Sequence, residues 1–344
     1  VHFSIIIPLH NGGVAFTDCL HSIGALLPAP DEVIIVANGT RDGSDAHARA
    51  AGGVVIALAH AVGPAHARNL GADAAQGEVL VFIDADVTVP PDLLARIAAA
   101  FATDPGIAAL IGSYDNAPAA PDFWSQYKNL LHHYTHQTGN REASTFWGAC
   151  GAVQRAAFVA VGGFDAAFTR PSVEDIAFGY RLKRAGYRIA LVPSLQVKHH
   201  KHYTFVSLLK SDFFDRALPW TRLLLGEGRL INDLNVTFSA RASVLLAGVT
   251  LIALISALLW FGGVALALGA WAGIIALNWA LYVWFARVRG ISFMMRAMGC
   301  HWLYRSRALA RESYAASAAV DEAPYGFSRR LSVSAGCISS ECKF

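Results

Sequence analysis

The sequence predicts an α/β fold built on a doubly wound, mostly parallel sheet, followed by a transmembrane helical hairpin and an interfacial helix. Three observations carry this expectation. Short apolar runs alternate with helical patterns from residue 3 to residue 111, the signature of a sheet wound with helices on both faces. The run Glu78-Val79-Leu80-Val81-Phe82-Ile83 ends in Asp84-Ala85-Asp86, and two acids at a strand mouth cost too much solvation to be there for packing. From Ala242 to Ala286 there is no Asp, Glu, Lys or Arg, a length that fits two spans of about 20 apolar residues each.

Taken in order, Phe3–Pro8 is an apolar strand ending in proline, and Val14–Leu27 is a helix. Glu32–Ala37 is the second strand, closed by the turn Asn38–Gly43, and Ser44 or Asp45 can cap the helix that follows. Val54–Leu58 is the third strand, Pro64–Ala75 an alanine-rich helix, Val79–Ile83 the fourth strand, Pro91–Ala102 a helix and Ile107–Ile111 the fifth strand. Ligands on such sheets bind beyond the carboxyl ends of the strands, so Leu9–Gly13, Ala37–Gly43 and Asp84–Asp86 fall on one edge.

Beyond Ser113 the pattern changes. Tyr114–Pro121 reads as a connector and Asp122–Gln137 as an aromatic, histidine-rich helix. Phe146–Ala152 is small and apolar, suited to close backbone approach. Gly162-Gly163 marks a turn, Glu174–Ala185 a helix, and Tyr187–Val192 and Leu195–Val197 two short strands. Tyr203–Leu225 has the pattern of a helix lying at a membrane surface. The apolar segment 242–286 divides at Gly262-Gly263 into spans of about 242–261 and 264–286. Residues 291–309 form a third membrane-associated helix, and the Ser/Ala-rich tail 311–344 is expected to be disordered.

The chain is 54% hydrophobic and 15% charged, with a net charge of only +3. Its basic residues cluster beside the apolar segment: Arg222, Arg229 and Arg241 before it, Arg287, Arg289, Arg296, Arg305 and Arg307 after it. That arrangement points to anionic lipid as the partner and argues against nucleic acid. It also places both flanks in the cytoplasm, as an even number of spans requires. The expectation is a multi-pass protein of the cell (inner) membrane with a cytoplasmic globular part and no secretory signal. Cys19, Cys150, Cys300, Cys337 and Cys342 show no CxxC spacing, so neither a disulfide framework nor a zinc site is expected.

Carboxylates placed like Asp84 and Asp86 can hold a divalent metal, and such a metal can hold a diphosphate. Four features then follow in order: Asp84-Ala85-Asp86, Gly162-Gly163-Phe164-Asp165, Glu174-Asp175 and His199-His200-Lys201-His202. In this order, over about Phe3 to Trp220, the chain resembles the family 2 glycosyltransferases with a GT-A fold, of the membrane-anchored bacterial type. Ile5-Ile6-Ile7-Pro8 with Asn11 resembles the opening strand and loop, and Val36–Ser44, with Asn38 and Asp42, the first nucleotide loop. Gly63–Gly71 resembles the family's ARNxG helix start, Asp84–Asp86 its DXD motif, Glu174-Asp175 its ED motif and Val197–His199 its late metal-binding histidine.

The resemblance implies a role for each of these residues. Residues 1–112 would be the nucleotide-sugar-binding half and 113–225 the acceptor-binding half. Pro8, Asn11, Asn38 and Asp42 would line the nucleotide site, and Arg68 would pair with the diphosphate. Asp86 and His199 would ligate Mg2+ or Mn2+, with Asp84 holding the sugar or ribose side. Beside Glu174, Asp175 would take the acceptor hydroxyl's proton in an inverting displacement; as helix-start acids, Glu174 and Asp175 would also suit the helix dipole. Arg216 and Trp220 match a Q/R-x-x-R-W motif loosely, since three residues separate them; they would meet diphosphate and sugar, or simply anchor the helix at a membrane. Trp147 would line the acceptor pocket or sit in the core. The acid that many relatives carry at or just after Ala37 is absent, so UDP is the expected nucleotide on family prevalence alone.

The sequence is therefore read as a metal-dependent inverting glycosyltransferase using an NDP-sugar. Its acceptor is expected at the membrane: a lipid, a lipid-linked saccharide or a growing glycan. A polyprenyl-phosphate sugar transferase, whose acceptor needs no strong base, is the nearer alternative. A nucleotidyltransferase and a non-catalytic membrane scaffold retaining the nucleotide-sugar fold are the more distant ones.

Overall fold

The computed structural model describes residues 1–227, 233–234 and 237–305. Its first half is a run of βα units: β1 (Phe3–Leu9), α1 (Gly13–Gly24), β2 (Glu32–Asn38), α2 (Ser44–Ala50), β3 (Val54–Leu58), α3 (Pro64–Ala74) and β4 (Val79–Ile83). β1 and β4 read as unbroken apolar runs because helices cover both faces; every residue of β4, and every residue of β1 except Pro8, is buried. These four strands are parallel in the order β3-β2-β1-β4. Their carboxyl-terminal loops thus lie side by side, as expected. One capping expectation fails. Ser44 is the first helical residue, Gly43 precedes it in a left-handed conformation, and Asp42 accepts the Ser44 N–H.

The second half contains β5 (Val87–Thr88), α4 (Leu93–Thr103), β6 (Ile107–Tyr114), α5 (Phe123–Thr138), β7 (Glu142–Ala143), β8 (Cys150–Gln154), α6 (Arg155–Ala160), α7 (Glu174–Arg184) and β9 (Arg188–His199). The sheet runs β3-β2-β1-β4-β8-β6-β9-β5, with β7 on β9. β8 is antiparallel to both β4 and β6. The stretch read as a small apolar approach is therefore partly a central strand. Its smallness has a cause: a Cβ on Gly151 would lie 2.5 Å from the Phe146 ring and from the Trp147 carbonyl oxygen. The two short strands expected at 187–197 are a single strand, β9, whose pairing with β6 shifts register between Ile111 and Ser113.

The C-terminal part is helical. It comprises α8 (Phe205–Lys210), a π-helical segment (Ser211–Ala217), α9 (Leu218–Glu227), α10 (Phe238–Ser256), α11 (Gly262–Leu277), α12 (Trp279–Arg289) and α13 (residues 291–305). Among the described residues α10 alone is a single helix long and apolar enough to cross a membrane. The second expected span, 264–286, is not straight: α11 and α12 meet at 69°. Asn278 sits at the break, its amide donating to Ser243 Oγ on α10 and to the Ile274 carbonyl, both at 2.8 Å. The expected tail 311–344, together with Arg229, Arg307, Cys337 and Cys342, lies outside the described residues.

α5 joins the sheet to these helices. Tyr127 and Leu130 pack with Leu281, Tyr282 and Phe285 of α12 and with Ala297 and Met298 of α13 in a second buried cluster. Arg296 lies 3.9 Å from the centre of the Phe123 ring, a cation–π contact that helps fix α13 to α5. Phe285 is fully buried among Tyr127, Phe293 and Trp284. Phe285→Ala is expected to destabilise the fold by about 3–5 kcal/mol, read as a lowered unfolding midpoint of the purified full chain in detergent.

Candidate active site

The loops after β1, β2 and β4, the end of β9, the start of α7 and the π-helical segment enclose a cleft of about 660 Å3. The Asp84-Ala85-Asp86 turn is fixed from both sides. Asp84 N–H donates to the Ala149 carbonyl, and Val87 of β5 pairs with His199 of β9. His200 N–H donates to the Asp86 carbonyl at 2.9 Å. This pairing brings His199 Nε2 to 3.6 Å from Asp86 Oδ2. Tyr114, at the end of β6, stacks on the His199 ring with centroids 4.2 Å apart and planes 12° apart. Burial opposes the charge on Asp86, but the neighbouring His199 and the Lys201 charge hold its carboxyl below the ordinary value.

Among the described residues no three His, Cys, Asp or Glu side chains converge as a metal cage. Asp86 and His199 offer two donors beside an open cleft. That set fits a hard divalent cation that takes its remaining ligands from phosphate oxygens and water. It does not fit a closed structural site.

Asp175, in the first turn of α7, lines the same cleft. Its Oδ2 accepts the Gly148 N–H at 3.2 Å and its Oδ1 the Ile176 N–H at 2.8 Å. Burial, then the neighbouring Glu174, pushes its carboxyl from 3.8 up to about 6. Arg216 also lines the cleft, carried by the π-helical segment; such wide turns recur at functional sites. A buried Lys128–Asp212 ion pair ties this segment to α5.

Residues 4–162 match the family model described as Glycosyl transferase family 2, and residues 129–204 match the one described as N-terminal domain of galactosyltransferase. The chain carries a family 2 glycosyltransferase domain. It is 44% identical over 114 residues to an N-acetylglucosaminyl-diphospho-decaprenol L-rhamnosyltransferase of Mycobacterium tuberculosis, a match spanning 28% of this chain and 36% of that protein. The fold is similar to that of the mannosyltransferase PcManGT from Pyrobaculum calidifontis, with a TM-score of 0.58, 19% identity, and 91% of this chain and 87% of that one covered. S. aureus TarS 1-349 is also similar, with a TM-score of 0.50, 17% identity and coverage of 93% and 92%. The family 2 domain thus has the expected GT-A fold.

Within this domain the cleft brings together Pro8, Asn11, Asn38, Arg68, Asp84, Asp86, Glu174, Asp175, His199 and Arg216. Several have duties that differ from expectation. Arg68 is buried and forked inward: Nη2 donates to Asp84 Oδ1 at 2.8 Å and Nη1 to Glu174 Oε1 at 2.9 Å. Both terminal nitrogens therefore serve protein carboxylates, where a diphosphate partner was expected. Asp84 is likewise a strut partner, and Glu174 Oε2 accepts the Ser172 N–H. Gly148 makes room for this fork, since a Cβ there would lie 2.8 Å from Arg68 Nη2. Asn38 Oδ1 accepts the Val62 N–H and Asn11 Oδ1 the Arg41 N–H, so both side chains clasp loops.

Asp42 and Trp220 do not line the cleft. Asp42 accepts from Gly13 N–H and from Ser44, tying the first two loops. Trp220 Nε1 donates to Tyr180 Oη at 3.1 Å, which pins α9 to α7 instead of offering a face to a sugar. Trp147 is both buried and part of the lining, edge-on to Tyr114.

Sequence reasoning missed Tyr114, Lys201, Tyr203, Arg170 and His10 in the lining. His10 Nδ1 donates to the Asn38 carbonyl at 2.7 Å, which leaves Nε2 as the acceptor of the neutral ring. Its position next to Asn11, beyond the end of an apolar strand, was the available signal.

Proposed function

We propose that this domain is a metal-dependent, inverting glycosyltransferase that moves a sugar from an NDP-sugar to a hydroxyl on a membrane-associated acceptor. One observation carries the reading: a single cleft holds the Asp86–His199 donor pair and, on a different element, the separate carboxylate of Asp175. The first suits the leaving nucleotide and the second the incoming hydroxyl. The environments push the two carboxyls apart in proton affinity, Asp86 down and Asp175 up, as a site needs when two acids have different tasks.

Asn11 and Asn38 sit at the nucleoside end, as groups that shape its loops. Asp86 and His199 would hold Mg2+ or Mn2+; the Pyrobaculum enzyme of the same fold was solved with GDP-Man and Mn2+. A cation there would neutralise the departing diphosphate. Lys201, beside Asp86, adds positive charge to the same end. In the displacement, the acceptor oxygen forms its bond to the anomeric carbon as the bond to the diphosphate oxygen breaks. Asp175 accepts the hydroxyl proton, and Arg216 nearby favours its ionised form. The name of the mycobacterial relative supports a lipid-linked saccharide as acceptor, and the complex of TarS 1-349 with UDP-GlcNAc supports a UDP-sugar as donor. The apolar α10 and the bent α11–α12 pair support anchoring in a membrane, and the arginines on both flanks of residues 242–286 are the ground for reading the catalytic domain as cytoplasmic.

The test is a screen of NDP-sugars with Mn2+ or Mg2+, with and without membrane lipid extract. Transfer to lipid, or slow release of NDP without it, is expected; no turnover of any donor sinks the reading and favours a non-catalytic scaffold. Release of diphosphate in place of NDP would mark a nucleotidyltransferase. Asp86→Ala is expected to remove the metal-stimulated part of turnover while the far-ultraviolet spectrum stays unchanged. An Asp86→Ala enzyme still stimulated by metal would remove Asp86 from the site.

A further inference from the structure

Helices α5, α10, α12 and α13 enclose a second cavity, of about 350 Å3. Its walls combine two chemistries. Leu131 and Leu281 give apolar sides, Ser239 presents a hydroxyl, and Arg305 brings a charge.

Arg305 is oriented by a buried relay. Its Nε donates to His301 Nε2 at 3.0 Å, and His301 Nδ1 meets Tyr282 Oη at 2.9 Å. Because Nε2 accepts, the ring hydrogen sits on Nδ1 and donates to the tyrosine. Tyr282 and His301 are 1% and 0% exposed. Polar groups in an apolar helical layer are costly unless satisfied, and this pair is satisfied by holding one edge of a guanidinium. With Nε bound inward, the two terminal nitrogens are the donors left for the cavity. Among the described residues no carboxylate forms an ion pair with Arg305. A fixed guanidinium fork without a counter-charge among the described residues, facing a cavity with the Ser239 hydroxyl, matches the oxygens of a phosphate.

We propose that this cavity binds the phosphate of an anionic lipid headgroup, with Arg305 as its main contact and the leucines beside it receiving the start of the acyl chains. The proposal rests on the reading that these helices sit in a bilayer. It concerns a site built by other residues than the glycosyl-transfer cleft.

The test uses the full chain in nanodiscs of phosphatidylglycerol or phosphatidylcholine, with lipid retention read by native mass spectrometry after release into detergent. Preferential retention of phosphatidylglycerol is expected, weakened about ten- to hundredfold in Arg305→Gln, the worth of a charge-assisted hydrogen bond or two. Ala280→Trp, which fills the cavity from an exposed wall position, should lose the same preference with its charge intact. Donor turnover in detergent should be unchanged in both. Equal retention of the two lipids, or full retention by Arg305→Gln, overturns the proposal. Inorganic phosphate that binds without any lipid preference would assign the site to a free anion and also overturn it. Failure to enter nanodiscs of either composition would bring down the bilayer reading and the lipid assignment with it, leaving the transferase reading to its own donor assay.

Discussion

Asp175→Asn is expected to lower turnover by about 10²- to 10⁴-fold, the usual worth of a positioned general base, without loosening the fold near neutral pH. The second half of this expectation follows from linkage. Burial and Glu174 push the Asp175 carboxyl from 3.8 up to about 6. A carboxyl whose folded pKa lies above its unfolded value favours the folded state most when protonated. That contribution is present at low pH and is lost as the pH rises through about 6. Near neutral pH the wild-type fold therefore carries an ionised acid that it disfavours, and asparagine removes that burden, which offsets the one N–H acceptor its amide gives up. Catalysis needs the opposite state. Wild-type turnover should climb with pH through about 6 and level off above it, and the variant's residual rate should lack that limb. Measured together, a pH–rate profile and an unfolding midpoint separate a lost base from a damaged fold. Full turnover in Asp175→Asn would point to an acceptor that is already a phosphate, as in a polyprenyl-phosphate sugar transferase.

The parallel half of the sheet was legible because strands buried on both faces leave an unbroken apolar run, and glycine, proline and aspartate punctuate their ends. The acids at Asp84 and Asp86 were legible for the same reason, since charge beyond such a run stands out. β8 was not, because Cys150-Gly151-Ala152 owes its small size to packing against Phe146 and shows no alternation. β5 is only two residues long, too short for any pattern, yet its pairing with β9 is what brings His199 to Asp86. Composition alone marked 264–286 as a span; the break at Asn278 depends on a partner, Ser243, in another helix. Trp220 and Asp42 carried the right residue types near the right places. Their hydrogen bonds to Tyr180 and to the first loop turn them to structural work.

Arg68 is where the sequence and the structure differ most, and Arg68→Met is expected to have the second large effect. The substitution leaves Asp84 and Glu174 without the guanidinium that separates them. Removing one partner of a buried ion pair costs about 3–5 kcal/mol, and the lower end applies here because Asp84 is 32% exposed and partly screened. Thermal unfolding should show the loss. A second consequence separates this strut from a diphosphate ligand. The Arg68 charge also lowers the proton affinity of Asp175. Without it, the acidic limb of the pH–rate profile should move to higher pH, whereas a lost diphosphate contact would raise the donor KM and leave the limb in place. Arg68→Met combined with Glu174→Gln should regain stability, because it replaces a broken pair with a neutral one. If the double variant is no more stable than the single one, the Arg68–Glu174 contact is not what holds α7 against the sheet, and the orientation of Asp175 must come from its hydrogen bond to Gly148.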